Sequence, residues 1–478
     1  MFKNSIWSFI NLIGNQSVFL ITNVVLARLL NPEIFGILAI SQVFTVLAQV
    51  FQESSVNSYL IYKNKINQNE IATAFWTNVF LTIFLSTLLF IISFPVSNIY
   101  NIELVEKTIK IISVGLFLGS FGITSKALFL KYKKIKEITI IEIIGEISSS
   151  IAAIIFAYHG SPLFAITSRL VIKPAICSIL FLITSKSLIY FTKFNFDLFK
   201  NMIPYSSKIL SSQTFIYFNN NIDYLLIGRM LGSKSLGLYT IAFQWSVLAR
   251  YYISGSFNKI AFPEISNNKS NILKVKEIYI NIVKAVSFIS FPFCSGLIVI
   301  AHDFILVLYG SEWLQSVTVL KLLLLSGLIT SISTIGGSVF NGLGKPQIEM
   351  WLNVFSFITL FIVIVITSKY GLIGISFGIL FRTLIFDFIK LNLVNKLLLL
   401  NNLAFYKSFN KIIYSTCGML IVLNIAKYFT LSMLPLLRLV LLILVGTLSY
   451  IIFSLVFNKE MSVQLIKFVK KPLKVKHI

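Results

Sequence analysis

Seven cations, Lys126, Arg169, Lys173, Arg250, Lys284, Lys321 and Arg382, stand inside stretches of sequence that are otherwise apolar. Six acids, Glu53, Glu142, Glu146, Asp223, Glu349 and Asp387, share those stretches. A charge in such surroundings costs about 2.5–3.5 kcal/mol on insertion scales, so each is kept for a fold or for a function. Cations there can hold an anion with no bond made or broken. One cation about 4–5 Å from an anionic oxygen is worth roughly 3–4 kcal/mol at an effective dielectric near 20. Acids there can bind a coupling proton or sodium ion, because protonation changes the cost of exposing them. Glu142 and Glu146 are four apart on one helix face, as are Arg169 and Lys173, so an internal ion pair competes with ligand binding for all four. Asp223 follows Asn219, Asn220 and Asn221, and Glu53 stands near Gln49, Gln52 and Asn57.

The elements that must position these groups are membrane helices. The chain has 478 residues, of which 56% are hydrophobic and 12% charged, and its mean hydropathy is +0.87. No water-soluble surface has that composition. About fourteen apolar segments reach spanning length, since roughly 20 residues cross a hydrocarbon core of about 30 Å. They lie near 5–30, 35–60, 71–97, 104–130, 138–158, 162–185, 204–230, 235–258, 277–301, 313–343, 347–367, 371–395, 407–430 and 433–457. Barrel strands would be about 10 residues long with alternating polarity, which these are not. The first segment lacks a small-x-small cleavage site and is expected to remain as helix 1.

The chain is duplicated. Leu26 to Ile40 and Ile227 to Ile241 follow one pattern 201 positions apart, with Arg28 answering Arg229, Leu30 answering Leu231 and Gly36 answering Gly237. Each copy sits at a helix-loop-helix junction. His159 to Ile166 and Tyr370 to Phe377 match again at a spacing of 211. The pattern predicts an all-α integral membrane protein of about 14 transmembrane helices, in two pseudo-symmetric six-helix lobes plus two C-terminal helices. Residues 1–192 form the N-lobe with helices 1–6. Residues 193–208 form an amphipathic cytoplasmic linker running into helix 7. Residues 204–400 form the C-lobe with helices 7–12, residues 401–458 hold helices 13 and 14, and residues 459–478 form a basic cytoplasmic tail.

The net charge of +24 is not a nucleic-acid signal, because the lysines alternate by loop. Lys3, Lys63, Lys65, Lys131, Lys133, Lys134, Lys136, Lys200, Lys269, Lys274, Lys407 and the tail lysines fall on one side. By the positive-inside rule that side is the cytoplasm, and both termini are there. Lys467, Lys470, Lys471, Lys474 and Lys476 anchor the topology against anionic headgroups. Cys177, Cys294 and Cys417 sit singly in apolar segments and read as small buried hydrophobes, and the three histidines are far apart, so no metal or redox site is expected. There is no Walker-type phosphate loop, which leaves an ion gradient or the substrate gradient as the energy source. Outer loops are short, which counts against a membrane polymerase or ligase.

Asn221 to Trp245, AFPEIS at Ala261 to Ser266, LYGSEWLQSV at Leu308 to Val317 and GLGKPQ at Gly342 to Gln347 resemble the polysaccharide exporters of the multidrug/oligosaccharidyl-lipid/polysaccharide superfamily, the O-antigen and colanic-acid type flippases above all. The resemblance covers essentially the whole chain. It implies two lobes around a cavity lined mainly by helices 1, 2, 7 and 8. It also implies a substrate, a polyprenyl-diphosphate-linked oligosaccharide moved from the inner to the outer leaflet for O-antigen, capsule or exopolysaccharide. On that expectation Arg250, Arg382, Lys173, Arg28, Arg229 and Lys321 contact the diphosphate or line the cavity. Asp223, Glu53, Glu142 and Glu146 line it or couple H+ or Na+. The competing structural roles are helix-dipole or headgroup anchoring for Arg28 and Arg229 and snorkelling for Lys126 and Lys284. No catalytic residue, metal or cofactor is expected. The partners are the lipid-linked oligosaccharide, membrane lipids, and a polysaccharide polymerase with its assembly proteins, in a bacterial inner membrane. A lipid II type flippase and a drug or cation antiporter of the same superfamily are the alternatives; helix 1 carries no acid between Ser5 and Leu30, which favours an anionic cargo over a cationic drug.

Overall fold

The computed structural model describes residues 2–54, 56–185, 194–248, 253–459 and 461. Most of the basic tail, Lys193 and Arg250 lie outside the described residues. The described residues contain helices and no strand. The chain is an all-α integral membrane protein, and eleven of its described helices are long and apolar enough to cross a bilayer.

Over the described residues each of the fourteen predicted segments coincides with helix, and the smaller number has two physical causes. Residues 346–397 count as one span of 52 residues. They are two helices, α13 (Pro346–Thr367) and α14 (Gly371–Leu397), joined by a single 3-10 turn and the positive φ of Gly371. Helix α8 (Phe196–Val247) holds two predicted segments but is too polar to count, with Asn219, Asn220, Asn221 and Asp223 in its interior. Its 52 residues would run about 78 Å if straight, more than twice a hydrocarbon core. Gly232, at φ 80 and ψ 174, breaks it into two. Only glycine adopts that backbone without strain. The segment expected as a linker is the start of this same helix. Asn195 caps it, its Oδ1 accepting from the Leu198 N–H at 3.0 Å, and Met202 packs into a small core with Val56, Leu60 and Ala74.

Two compact units divide the chain, Met1–Gly237 and Leu238–Ile478. The first contains α1 (Phe2–Leu29), α2 (Pro32–Ser54), α3 (Val56–Tyr62), α4 (Gln68–Tyr100), α5 (Glu103–Lys131), α6 (Ile135–Tyr158), α7 (Pro162–Thr184) and most of α8. Helix α8 is tied into this unit by bonds from Tyr217 to the Val43 carbonyl and from Tyr100 to the Leu225 carbonyl. The second contains α9 (Ser254–Asn267), α10 (Ile272–Leu308), α11 (Ser316–Ser333), α12 (Ile335–Gly342), α13, α14, α15 (Asn402–Lys407), α16 (Asn410–Phe429) and α17 (Pro435–Phe457). Outside the spans, a capping box of Asn67 and Glu70 starts α4. Lys63 joins it, and its hydrogen bond to Glu70 holds that ammonium above the usual lysine range.

The duplicated turns meet within the first unit. A β-carbon at Gly36 would run into the Ser233 carbonyl, and one at Gly237 would run into the Pro32 carbonyl. Ser233 stands 201 positions after Pro32 and Gly237 stands 201 after Gly36, so the contact is reciprocal under the repeat. Glycine is required at both positions because backbone meets backbone there. Gly36→Val or Gly237→Val is expected to destabilise the protein by at least about 1–3 kcal/mol, read as a lowered melting temperature in detergent. Gly255→Ala, which meets nothing within 4 Å, is expected to leave the melting temperature unchanged or slightly higher.

Candidate functional site

Polar side chains collect inside the first unit, among α1, α2, α5, α6 and α7. Close helix packing brings them together. Gly115 and Gly122 on α5 face the backbone of Leu170, Val171 and Ser178 on α7 so tightly that a β-carbon would clash. Ser178 completes the seam by donating to the Gly119 carbonyl at 2.9 Å and accepting from the Gly122 N–H at 3.2 Å. Gly145 on α6 lies against the Cys177 side chain of α7, where a β-carbon would come within 2.5 Å of the sulfur. Small residues are what allow helices to approach this closely in a bilayer.

A cavity of about 470 Å³ opens beside that seam. Asn11, Asn15, Gln49, Lys126, Glu142 and Lys173 are on its wall. Lys126 is 2.9 Å from Glu142 and 4.0 Å from Glu53. Asn11 donates to Glu142 at 2.9 Å, and Asn15 donates to the Asn11 amide oxygen at 3.0 Å. Behind the wall, Glu146 is only 4% exposed and accepts from Arg169 at 2.6 Å and from Lys173 at 2.5 Å. Arg169 also donates to Asn23 at 2.7 Å and lies over the Phe19 ring, 4.5 Å from its centroid. Three cations, Lys126, Arg169 and Lys173, thus face three carboxylates, Glu53, Glu142 and Glu146. The cluster is neutral as a whole. Of the two carboxylates that could pair with Arg169 and Lys173, Glu146 takes both.

Arranged so, the cavity offers a polar wall to hydroxyl groups and two cations, Lys126 and Lys173, that an incoming anion can reach only in competition with a carboxylate. Asn15 Oδ1 is buried there without a hydrogen-bond partner.

The other expected site residues are dispersed. Arg28 and Arg229 are exposed at helix ends in the first unit, and Arg250 lies outside the described residues. Arg382 of α14 is spent on α13. It donates to the Ser356 carbonyl at 2.7 Å, to the Ser356 hydroxyl and to Thr359 at 3.2 Å, and it lies over Phe386. Lys321 of α11 stands near one end of the second unit. Asp223 is buried in α8, where it accepts from the Tyr224 N–H at 3.0 Å. Glu349 pairs with Lys390 at 3.0 Å, and Asp387 accepts from Thr330 at 2.9 Å. Of the cysteines expected to be buried, Cys294 is; Cys177 lines the polar cavity and Cys417 is exposed. Among the described residues no group of three or more potential ligands could hold a metal ion.

Helix 1 carries a sequence signal for part of the cavity in its amides rather than in charges. Asn11, Asn15, Phe19 and Asn23 recur every four residues on helix 1, which is one helix face. That stripe supplies the partners of Glu142 and Arg169.

A sequence profile of the family described as "Polysaccharide biosynthesis protein" matches residues 25–318. The chain is 26% identical over 380 residues to the lipopolysaccharide biosynthesis protein WzxC of Escherichia coli (strain K12), covering 78% of this chain and 76% of that one. It is 21% identical over 353 residues to the succinoglycan biosynthesis transport protein ExoT of Rhizobium meliloti (strain 1021), covering 73% and 70%. Among solved structures, it superposes on the lipid II flippase MurJ in an inward closed conformation with a TM-score of 0.76 at 18% identity, covering 96% of this chain and all of that one. At that identity the superposition speaks for the fold.

Removing a carboxylate from this cluster leaves cations unpaired in a low dielectric. Glu146→Gln is therefore expected to cost about 3–5 kcal/mol, seen as a lower melting temperature and less protein in the membrane. Adding Lys173→Met to Glu146→Gln removes one of the two stranded charges and is expected to recover part of that loss.

Proposed function

The chain belongs to the polysaccharide biosynthesis protein family, and from that premise we propose that it is a flippase. Its cargo is a polyprenyl-diphosphate-linked oligosaccharide, carried from the inner to the outer leaflet for surface polysaccharide synthesis. The observation that carries this reading is the amide-lined, charge-balanced cavity inside the spanning helices of the first unit.

A sugar-diphosphate head cannot cross hydrocarbon unaided, while its lipid tail never needs to leave it. The protein has only to shelter the head. Amides such as Asn15 and Gln49 substitute for the water that hydrates sugar hydroxyls, at the one-to-one exchange that makes a polar wall tolerable in a membrane. The diphosphate takes Lys126 and Lys173 from their carboxylates, so binding is an exchange of one anion for another. An exchange keeps the complex from becoming a trap: the gain of about 3–4 kcal/mol per cation–phosphate contact is offset by the carboxylate contact given up. Release is then no harder than capture. No bond is formed or broken in this cycle, so the protein acts as a transporter. Its names among relatives agree in direction, since ExoT is called a transport protein.

Alternating exposure of the head needs the two units to move as separate bodies, with both termini on the cytoplasmic side and a proton or sodium ion as the candidate coupling ion. Asp223, Glu53, Glu142 and Glu146 are the acids this reading reserves for that ion. The polymerase and its assembly proteins take the product.

Complementation tests the reading. In a strain lacking the gene, Lys126→Gln is expected to lower surface polysaccharide at least tenfold per unit of protein in the membrane, and Lys126→Arg to retain most of it. Full polysaccharide with Lys126→Gln removes this cavity as the head site. Lowered dye accumulation in cells expressing the unmodified protein, with no effect on polysaccharide, replaces the flippase by a drug exporter.

A further inference from the structure

Three tyrosines meet at one end of the first unit, where α3 and the start of α8 come together. The Tyr62 ring lies on the Tyr205 ring with centroids 4.6 Å apart and 22° between the planes, and Tyr59 meets Tyr205 edge-on at 6.3 Å and 69°. Tyr62 is nonetheless 67% exposed, so the ring face turned away from Tyr205 is open. The set is held in place. Helix α3 has seven residues, too few to persist without tertiary contacts. Lys131 at the end of α5 fixes its last turn by donating to the Leu60 carbonyl at 2.8 Å and to the Lys63 carbonyl. Lys63 is bound to Glu70 and stands 5.9 Å from the Tyr59 ring centroid.

The start of α8 separates two aromatic surfaces. Phe199 and Ile203 line an apolar pocket of about 350 Å³ that they share with Phe80 and Leu81 of α4. Tyr205 stands about 200° round the helix from Ile203, away from that pocket. A tyrosine of an interfacial belt needs only lipid on one side and headgroups on the other. Here the rings are stacked on one another and the helix that carries two of them is pinned by a lysine. The ammonium groups beside them are committed, Lys63 to Glu70 and Lys131 to carbonyls, so the surface offers ring faces and hydroxyl groups rather than charge. That combination fits a sugar, whose C–H face packs on an aromatic ring while its hydroxyls bond at the rim.

Helix α2 leads to this surface from the polar cavity. Gln52 and Glu53 are on the cavity wall, and Tyr59 and Tyr62 follow Glu53 by six and nine residues. At the helical rise those positions are about 9 and 14 Å farther along. We propose that the tyrosine set docks the outlying sugars of the lipid-linked oligosaccharide while its diphosphate end occupies the cavity. On the positive-inside reading this end faces the cytoplasm, where the loaded carrier arrives. The inference rests on the flippase reading for the cargo and narrows it, to a head of several sugars, long enough to reach from Lys126 to Tyr62.

Photocrosslinking in cells tests the docking surface. The full chain with Tyr62→p-benzoylphenylalanine is expressed in a strain lacking the gene and irradiated, and the peptide containing position 62 is read by mass spectrometry. A sugar-bearing adduct is expected at about ten times the yield, per unit of protein in the membrane, found with the same probe replacing Tyr158, which is 80% exposed at the other end of the first unit. Deleting the glycosyltransferases that extend the carrier beyond its first sugar is expected to lower the adduct at least tenfold. Tyr205→Ala, which removes the stacking partner, is expected to lower it severalfold, and Tyr205→Phe to leave it unchanged. Phospholipid adducts in place of sugar, equal yields at the two positions, or a yield indifferent to glycan length overturns the proposal. Surface polysaccharide in the deletion strain, with and without the unmodified protein, keeps the two readings apart. A missing adduct with gene-dependent polysaccharide removes the docking surface alone, and an adduct with gene-independent polysaccharide removes the flippase reading alone.

Discussion

A charge surrounded by hydrocarbon must be answered by another charge, and that constraint organises the first unit. Glu146 is the pivot. It is buried, it binds both Arg169 and Lys173 of α7, and Arg169 extends the network to Asn23 of α1. One turn away, Glu142 binds Lys126 of α5 and Asn11 of α1. Three helices are thereby fixed in register to α6 by groups that lose several kcal/mol if the register slips. Packing alone does not supply that precision in a bilayer, where lipid is as apolar as the helix faces. The glycine seam between α5 and α7 provides proximity, and the ion pairs provide alignment.

The same network explains how a polar space survives inside an apolar bundle. Charged groups that satisfy one another leave the cavity electrically neutral, so it is filled by water or by a neutral sugar at modest cost. On the proposed reading, an anion entering it finds no unclaimed cation and binds by displacing a carboxylate. That arrangement suits a site that has to release its ligand on the far side.

Much of this architecture was legible in the sequence, because hydrophobic length is a direct consequence of bilayer thickness. Over the described residues the fourteen segments coincide with helix, and the four-residue spacing of Arg169 and Lys173 against Glu142 and Glu146 announced an ion-pair face. What the spacing left open was the choice between the two carboxylates, which depends on how far α7 is rotated by its glycine contacts. Arg382 shows a different limit. Its depth in the span suggested a ligand contact, yet its guanidinium is taken up by the hydroxyl and carbonyl groups of Ser356 and by Thr359 on the adjacent helix. A serine and a threonine three residues apart carry no charge and give no hint in a composition profile. The amide stripe of helix 1 was hidden for a similar reason, since a search for acids passes over asparagine.

The two units use their charges differently: carboxylates match the cations of the first unit's cavity, whereas Asp303 is the acid paired with Arg438 in the second. Lys173 lies about three turns from either end of α7 and requires a carboxylate within the protein, and Lys126 and Arg169, nearer to helix ends, also pair with carboxylates. Lys321, Lys427 and Arg438 lie within about two turns of helix ends. Water and headgroups are close enough there to screen an excess charge. An unbalanced cluster is thus affordable only at such an end. Asp303 keeps the three cations from driving one another apart while leaving their sum positive. Within the first unit, matched pairs let cations stand in an apolar bundle; within the second, the end of a helix bundle tolerates cations that one carboxylate only partly offsets.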